Sequence, residues 1–194
     1  MGKRRRIWWW IAGGVLLAVL AFVAVLAVPM LTHEDQGQSQ LVESEEEWPL
    51  TATAIGDDGR TRTLDLHPVE PGGSIDPSAL EVGERIVVSG TGFDAGRGIY
   101  VAICKVPGDP GVKPGPCLGG VPSNWINDDW AWKLFGARGY DDAETGTFTA
   151  YLEVPSTTGD GVDCRVDACA ITTRNDHTAL NDRVQDVSIP VGFD

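Results

Sequence analysis

Four cysteines stand in two close pairs, Cys104 with Cys117 and Cys164 with Cys169. Cysteines at short spacing can ligate a metal or form disulfides. Structural zinc sites commonly combine C-x-x-C pairs with one another or with histidine partners. Neither pair here is C-x-x-C, and no histidine lies close in sequence, so no metal site is expected. Four cysteines allow three pairings. Local pairing is the simplest, because each pair brackets a turn-rich segment, and such bridges persist outside the cytoplasm. Closing a loop of the Cys104–Cys117 size contributes on the order of 3 kcal/mol in the loop-entropy view.

Catalytic chemistry finds little footing. There is no G-x-S-x-G, and the three histidines are scattered: His33 in an acidic stretch, His67 before a proline, His177 in a polar loop. A nucleophile needs a base within hydrogen-bond reach, and no spacing suggests one. No catalytic residue, cofactor or metal is assigned. Gly90, Gly92 and Gly96 miss the phosphate-cradling G-x-G-x-x-G by one position and lead into a strand, so they read as a turn. Asp57-Asp58-Gly59 and Asp141-Asp142-Ala143-Glu144 lack the D-x-D-x-D-G alternation of a calcium loop and read as solvated turns. Asn175-Asp176-His177-Thr178 reads as a hydrogen-bonded turn joining the last two strands.

Recognition chemistry is better represented. Trp125, Trp130, Trp132, Phe135 and Tyr140 crowd into one segment, and large aromatic rings anchor interfaces. The run Asn127–Gly136 has a cap, an acidic first turn, a basic last turn and a terminal glycine, which predicts a short helix with Trp130 and Leu134 stacked at i, i+4. The plain alternative is that these two side chains cap the core. Trp130 and Trp132 fall about 200° apart on a helix, which argues for some exposure.

The elements around this segment are strands. Thr51–Ile55 and Thr61–Leu66 flank Asp57-Asp58-Gly59 as a hairpin. Arg85–Ser89, Gly98–Cys104, Thr147–Val154, Ala168–Arg174 and Val184–Phe193 follow. Ile99, Val101 and Ile103 share one face, as do Phe148, Ala150, Leu152 and Val154, and Val187, Ile189, Val191 and Phe193. Pro190 removes a ladder donor and marks an edge strand or bulge. Seven short strands between Gly and Pro turns predict an all-β, immunoglobulin-like sandwich over residues 49–194, with one short inserted helix.

Ahead of it, residues 7–31 are uncharged and apolar, preceded by Lys3-Arg4-Arg5-Arg6 in the tail 1–6 and opened by Trp8, Trp9 and Trp10. A helix rising about 1.5 Å per residue crosses a hydrocarbon core of about 30 Å over this length. The basic flank puts the N-terminus in the cytoplasm. A cleaved signal peptide, ending near Val25-Leu26-Ala27, is the rival reading, although its apolar region is normally shorter. Residues 32–48 are acidic and polar and predict an extended tether. All 28 acidic residues, but only 11 of the 15 basic ones, follow residue 31. That surface disfavours nucleic acid and anionic lipid.

The segment RIVVSGTGFDAGRGIYVAIC (85–104) with a second cysteine at 117, and GVDCRVDACAITTRND (161–176) leading to QDVSIPVGF (185–193), resemble the neocarzinostatin family. The likeness runs from about residue 60 to 193 and is poor between the first cysteines and over 120–145. The resemblance implies a seven-stranded immunoglobulin-like sandwich with two local disulfides. It also implies a non-catalytic carrier that cradles an enediyne chromophore in a cleft beside one sheet. Two departures touch that cleft. The loop that carries aromatic cleft residues in the carriers is reduced here to Pro155–Gly161, without a ring, and the aromatic insertion appears elsewhere. The carriers are secreted free, whereas this chain looks tethered, like related domains in actinobacterial cell envelopes.

The sequence therefore predicts a single-pass, N-in cell-membrane protein displaying a non-catalytic binding domain. Two occupants are expected for it. One is another envelope protein or membrane complex docking on the aromatic insertion; the other is a small hydrophobic, antibiotic-type ligand in a cleft of the sandwich.

Overall fold

The computed structural model describes residues 2–109, 111–119 and 124–193, and only the backbone of residues 2–5 and 29. The side chains of Lys3, Arg4 and Arg5, on which the expected orientation rests, therefore lie outside the described ones, as do residues 120–123 of the poorly matching insertion. The chain forms two units, Met1–Glu34 and Asp35–Asp194. The first is helix α1 (Gly2–Thr32). Over Arg6–Thr32 it is long and apolar enough to cross a membrane, a length and composition that a signal sequence shares.

The second unit is the expected sandwich. One sheet has the order β1 (Ser39–Leu41), β2 (Thr51–Gly56), β3 (Thr61–Pro68), β4 (Arg85–Thr91), β7 (Phe148–Glu153). The other runs β11 (Val187–Val191), β10 (Cys169–Asn175), β5 (Ile99–Lys105), β6 (Asn124–Ile126). Helix α2 (Trp130–Lys133) follows β6, and β8 (Thr158–Gly159) pairs with β9 (Val162–Asp163) in a small separate hairpin. Setting aside the three-residue strands β1 and β6 leaves four strands facing three, and every pair is antiparallel.

The predicted alternation builds the core. Leu64, Leu66, Ile86, Val88, Phe148, Ala150 and Leu152 of one sheet meet Ile99, Val101, Ile103, Ile171, Val187, Ile189 and Val191 of the other. Each of these side chains larger than alanine contributes about 1.5–3 kcal/mol on burial. Gly90 sits in β4 itself, where a Cβ would come within 2.2 Å of the Phe148 ring, so it makes room for an aromatic. Pro190 lies in β11, at the sheet edge, where its missing N–H costs no ladder bond. Cys104 bonds Cys117 and Cys164 bonds Cys169.

Three expectations need correction. The stretch 32–48 is not all tether. From Asp35 it belongs to the folded unit, and β1 pairs with β2 while Arg183 N–H donates to the Gly37 carbonyl (2.9 Å) and Gln36 N–H to Asp182 (3.2 Å). Backbone pairing with a free sheet edge outweighs the polar composition. The helix is a single turn, and it buries Ala131 and Trp132 instead of Trp130 and Leu134. The acidic turn at Asp58 is structural: it holds Arg62, a fully buried residue on the inward face of β3, through Nη1 to Oδ1 at 3.0 Å.

Burial alone would raise the Asp58 carboxyl. The Arg62 hydrogen bond, the Arg60 backbone N–H and both guanidinium charges outweigh it and hold the group below its ordinary value. Its stabilisation is therefore present above the ordinary carboxylate range and is lost as pH falls through the folded value. Asp58→Ala leaves a buried guanidinium uncompensated and should cost about 3–5 kcal/mol in denaturant unfolding at pH 7. The difference from wild type should shrink below about pH 4. An unchanged unfolding midpoint would contradict this role.

Candidate functional site

The aromatic insertion forms a corner at the β6 edge of the β11-β10-β5-β6 sheet. Pairing of β6 with β5 sets Trp125 opposite Tyr100 on the outer face, while Ile126 and Ile99 turn into the core. Asn127 then begins a chain of caps. Its Oδ1 accepts from Asp129 N–H (2.9 Å), and Asp129 in turn accepts from Ala131 N–H (2.8 Å) to start α2. The loop closes on itself where Asn127 N–H donates to the Arg138 carbonyl and Arg138 N–H to that of Trp125.

Asp176 ties this insertion to the β10–β11 connection. It is fully buried and its carboxylate accepts four hydrogen bonds, from Trp125 Nε1 (2.8 Å), Asn127 Nδ2 (2.8 Å), Thr178 N–H (2.8 Å) and Thr178 Oγ1 (2.6 Å). The expected turn at residues 175–178 is thus also the anchor of the insertion. Gly98 completes the node, because a Cβ there would stand 1.8 Å from Asp176 Oδ2 and 2.3 Å from Asn127 Nδ2.

Above the carboxylate the rings pack around His177. Trp132 meets it edge-on at 4.5 Å between centroids and Trp125 at 5.1 Å, and Tyr100 Oη lies 2.8 Å from His177 Nδ1. Burial and then the Asp176 charge push the Tyr100 phenol above its ordinary value, so it stays protonated at neutral pH. A protonated phenol and an imidazole wedged between indoles make a packed cluster.

The five aromatic candidates therefore divide. Tyr140 is buried, its hydroxyl donating to the Arg97 carbonyl at 3.2 Å. Trp132 is buried and Trp125 half-buried, both within the cluster. Trp130 and Phe135 face outward, 61% and 58% exposed, with Leu134 beside them at 68%.

A second feature lies over β11, where sequence reasoning pointed to no residue. Segment 38–41 and the loop residues 106–109, 111, 112 and 114 wall a half-open cavity of about 560 Å³, floored by Arg183, Asp186 and Ser188. Farther across the same outer face, Ala102, Cys104 and Cys117 form a small buried cluster of their own. Arg183 and Asp186, 3.1 Å apart, announced themselves only as charges beside a strand pattern. Among the described residues no group of three or more His, Cys, Asp or Glu could hold a metal ion.

A two-sheet, disulfide-stapled sandwich with an aromatic corner and an open cavity has the form of a binding domain. Residues 74–190, more than half of the chain, match the Neocarzinostatin family. The chain belongs to that family, whose members are ligand-binding carriers without catalytic activity. It is also similar to thiamine biosynthesis protein X of Corynebacterium glutamicum, 33% identical over 120 residues. The match covers 61% of this chain and 60% of the relative's length. No solved structure matches.

Removing the Asp176 carboxylate orphans several buried donors at about 1–3 kcal/mol each. Asp176→Ala should lower stability by about 2–4 kcal/mol on that basis and red-shift tryptophan emission. Gly98→Ala should do the same from the opposite side. Wild-type stability and emission in both variants would contradict the node.

Proposed function

We propose that the chain is a single-pass membrane protein, N-terminus in the cytoplasm, whose sandwich acts outside as a non-catalytic docking module for another envelope or membrane-complex protein. The basic tail, the apolar helix and the two disulfides support that topology. The docking reading rests on one observation. Trp130, Leu134 and Phe135 are exposed together on a turn whose inner side is fixed by Trp132 and by the Asn127–Asp176 bond. Rigid aromatic anchors lose little entropy on binding.

The test is co-purification from detergent-solubilised membranes. Trp130→Ala combined with Phe135→Ala should abolish recovery of one discrete partner while changing unfolding free energy by less than about 0.5 kcal/mol, as exposed substitutions do. Val166→Ala, at an exposed apolar position elsewhere, should leave recovery intact. Undiminished recovery with the double variant would end the reading.

A second reading is favoured by the cavity of about 560 Å³, within the size range of small-molecule sites. Here the domain carries a small ligand, as its family does. Native mass spectrometry of gently purified full-length protein should show a bound small molecule. Thiamine belongs among the candidates sought, given the relative's name. A persistently unliganded mass would count against it.

A further inference from the structure

The cavity has apolar walls, with Leu41 on one side and Val106 and Val112 on the other. Its floor holds the Arg183–Asp186 ion pair, and two further cations, Lys113 and Arg174, adjoin its loop. In the β10–β11 register, one step beyond Thr173↔Val187 sets Arg174 opposite Asp186 on the outer face. Arg174 Nη1 donates to the Pro114 carbonyl (2.8 Å), which holds its guanidinium against the loop that walls the cavity. Lys113 stands beside Pro114 on that loop, and Arg183 lies on the floor.

The charges do not cancel locally. Asp186 is engaged by Arg183 at 3.1 Å. Asp182 is spent on the N–H groups of Gln36 and Val184. Asp109 sits exposed at the rim. Among the described residues neither Lys113 nor Arg174 has a carboxylate within ion-pair distance, and Arg174 Nε is buried without a hydrogen-bond partner. Past residue 31, where 28 acidic residues face 11 basic ones, two neighbouring cations left without a carboxylate are conspicuous. Burial, then the Arg174 and Arg183 charges, pull the Lys113 ammonium below its ordinary value, so this lysine sits in a positive field.

We propose that the cavity binds a small amphipathic organic anion. Its carboxylate or phosphate lies between Lys113 and Arg174, and its apolar body between segment 38–41 and the loop. The inference rests on the small-ligand reading above and gives it a ligand class. It also assigns the segment leaving α1 a second role, as a wall of the site: Gln38 crosses to the loop, its Nε2 lying 2.4 Å from where a Gly111 Cβ would stand.

The experiment is equilibrium dialysis of full-length protein in neutral detergent, against protein-free micelles, with 2-naphthoate and its uncharged counterpart 2-naphthamide. Naphthoate should bind about tenfold tighter, the range of one charge-assisted contact, and weaken with added salt. Lys113→Gln, an exposed change, should erase most of that difference without altering naphthamide binding, and Arg174→Gln should do likewise. Ser188→Trp, which fills the floor, should block both. Equal affinities, or no effect of Lys113→Gln, would overturn the anion assignment while leaving the cavity a ligand site. Binding of neither probe, together with an unliganded native mass, would overturn the small-ligand reading itself.

Discussion

A carboxylate buried away from water is stable only when its oxygens find donors, and Asp176 finds four. The indole of Trp125 and the amide of Asn127 come from the insertion, the two Thr178 groups from the connection that follows β10. One anion therefore decides where two loops meet. Because Trp125 and Asn127 are fixed, β6 stays in register with β5, Asp129 is placed to cap α2, and Trp132 is pressed onto His177. The outward rings of Trp130 and Phe135 inherit that rigidity. The proposed docking surface is thus a consequence of an interior hydrogen-bond node.

The opposite edge of the same sheet follows another logic. Residues 35–42 leave the apolar helix and are stitched to both sheets, by strand pairing to β2 and by hydrogen bonds to Asp182 and the Arg183 backbone. A mostly polar segment gains order here because its N–H and C=O groups meet unpaired edges. The same stitching makes one wall of the cavity. Beneath it, burial pushes the Asp186 carboxyl up to about 7 against the pull of Arg183. The floor therefore carries less negative charge near neutral pH than its composition suggests, which suits an anionic ligand.

Much of this architecture is legible in the amino-acid sequence. Period-two alternation placed seven strands and the inward faces of β5, β7 and β11. Paired cysteines and the segments around them led to the family. What escaped were features that periodicity does not encode. Arg62 occupies an inward position of β3, as alternation with Leu64 and Leu66 implies, yet a charge there reads as surface until Asp58 is seen across the hairpin. Asp176 lay within a predicted turn, but two of its four donors are 49 and 51 residues away in sequence. The inner face of α2 was misjudged because a four-residue helix is oriented by its caps and by His177, with too few turns for an i, i+4 stripe to dominate. Of the five aromatic candidates, composition placed all in one segment and could not sort the packed rings from the exposed ones.

The claim that Asp176 organises the aromatic corner is open to one direct measurement, hydrogen–deuterium exchange of the Trp125 indole Nε1–H by NMR in the full-length protein. A proton donated to a buried carboxylate should exchange orders of magnitude more slowly than a free indole and should lose that protection in Gly98→Ala. Exchange at the free-indole rate in the native protein would contradict the account.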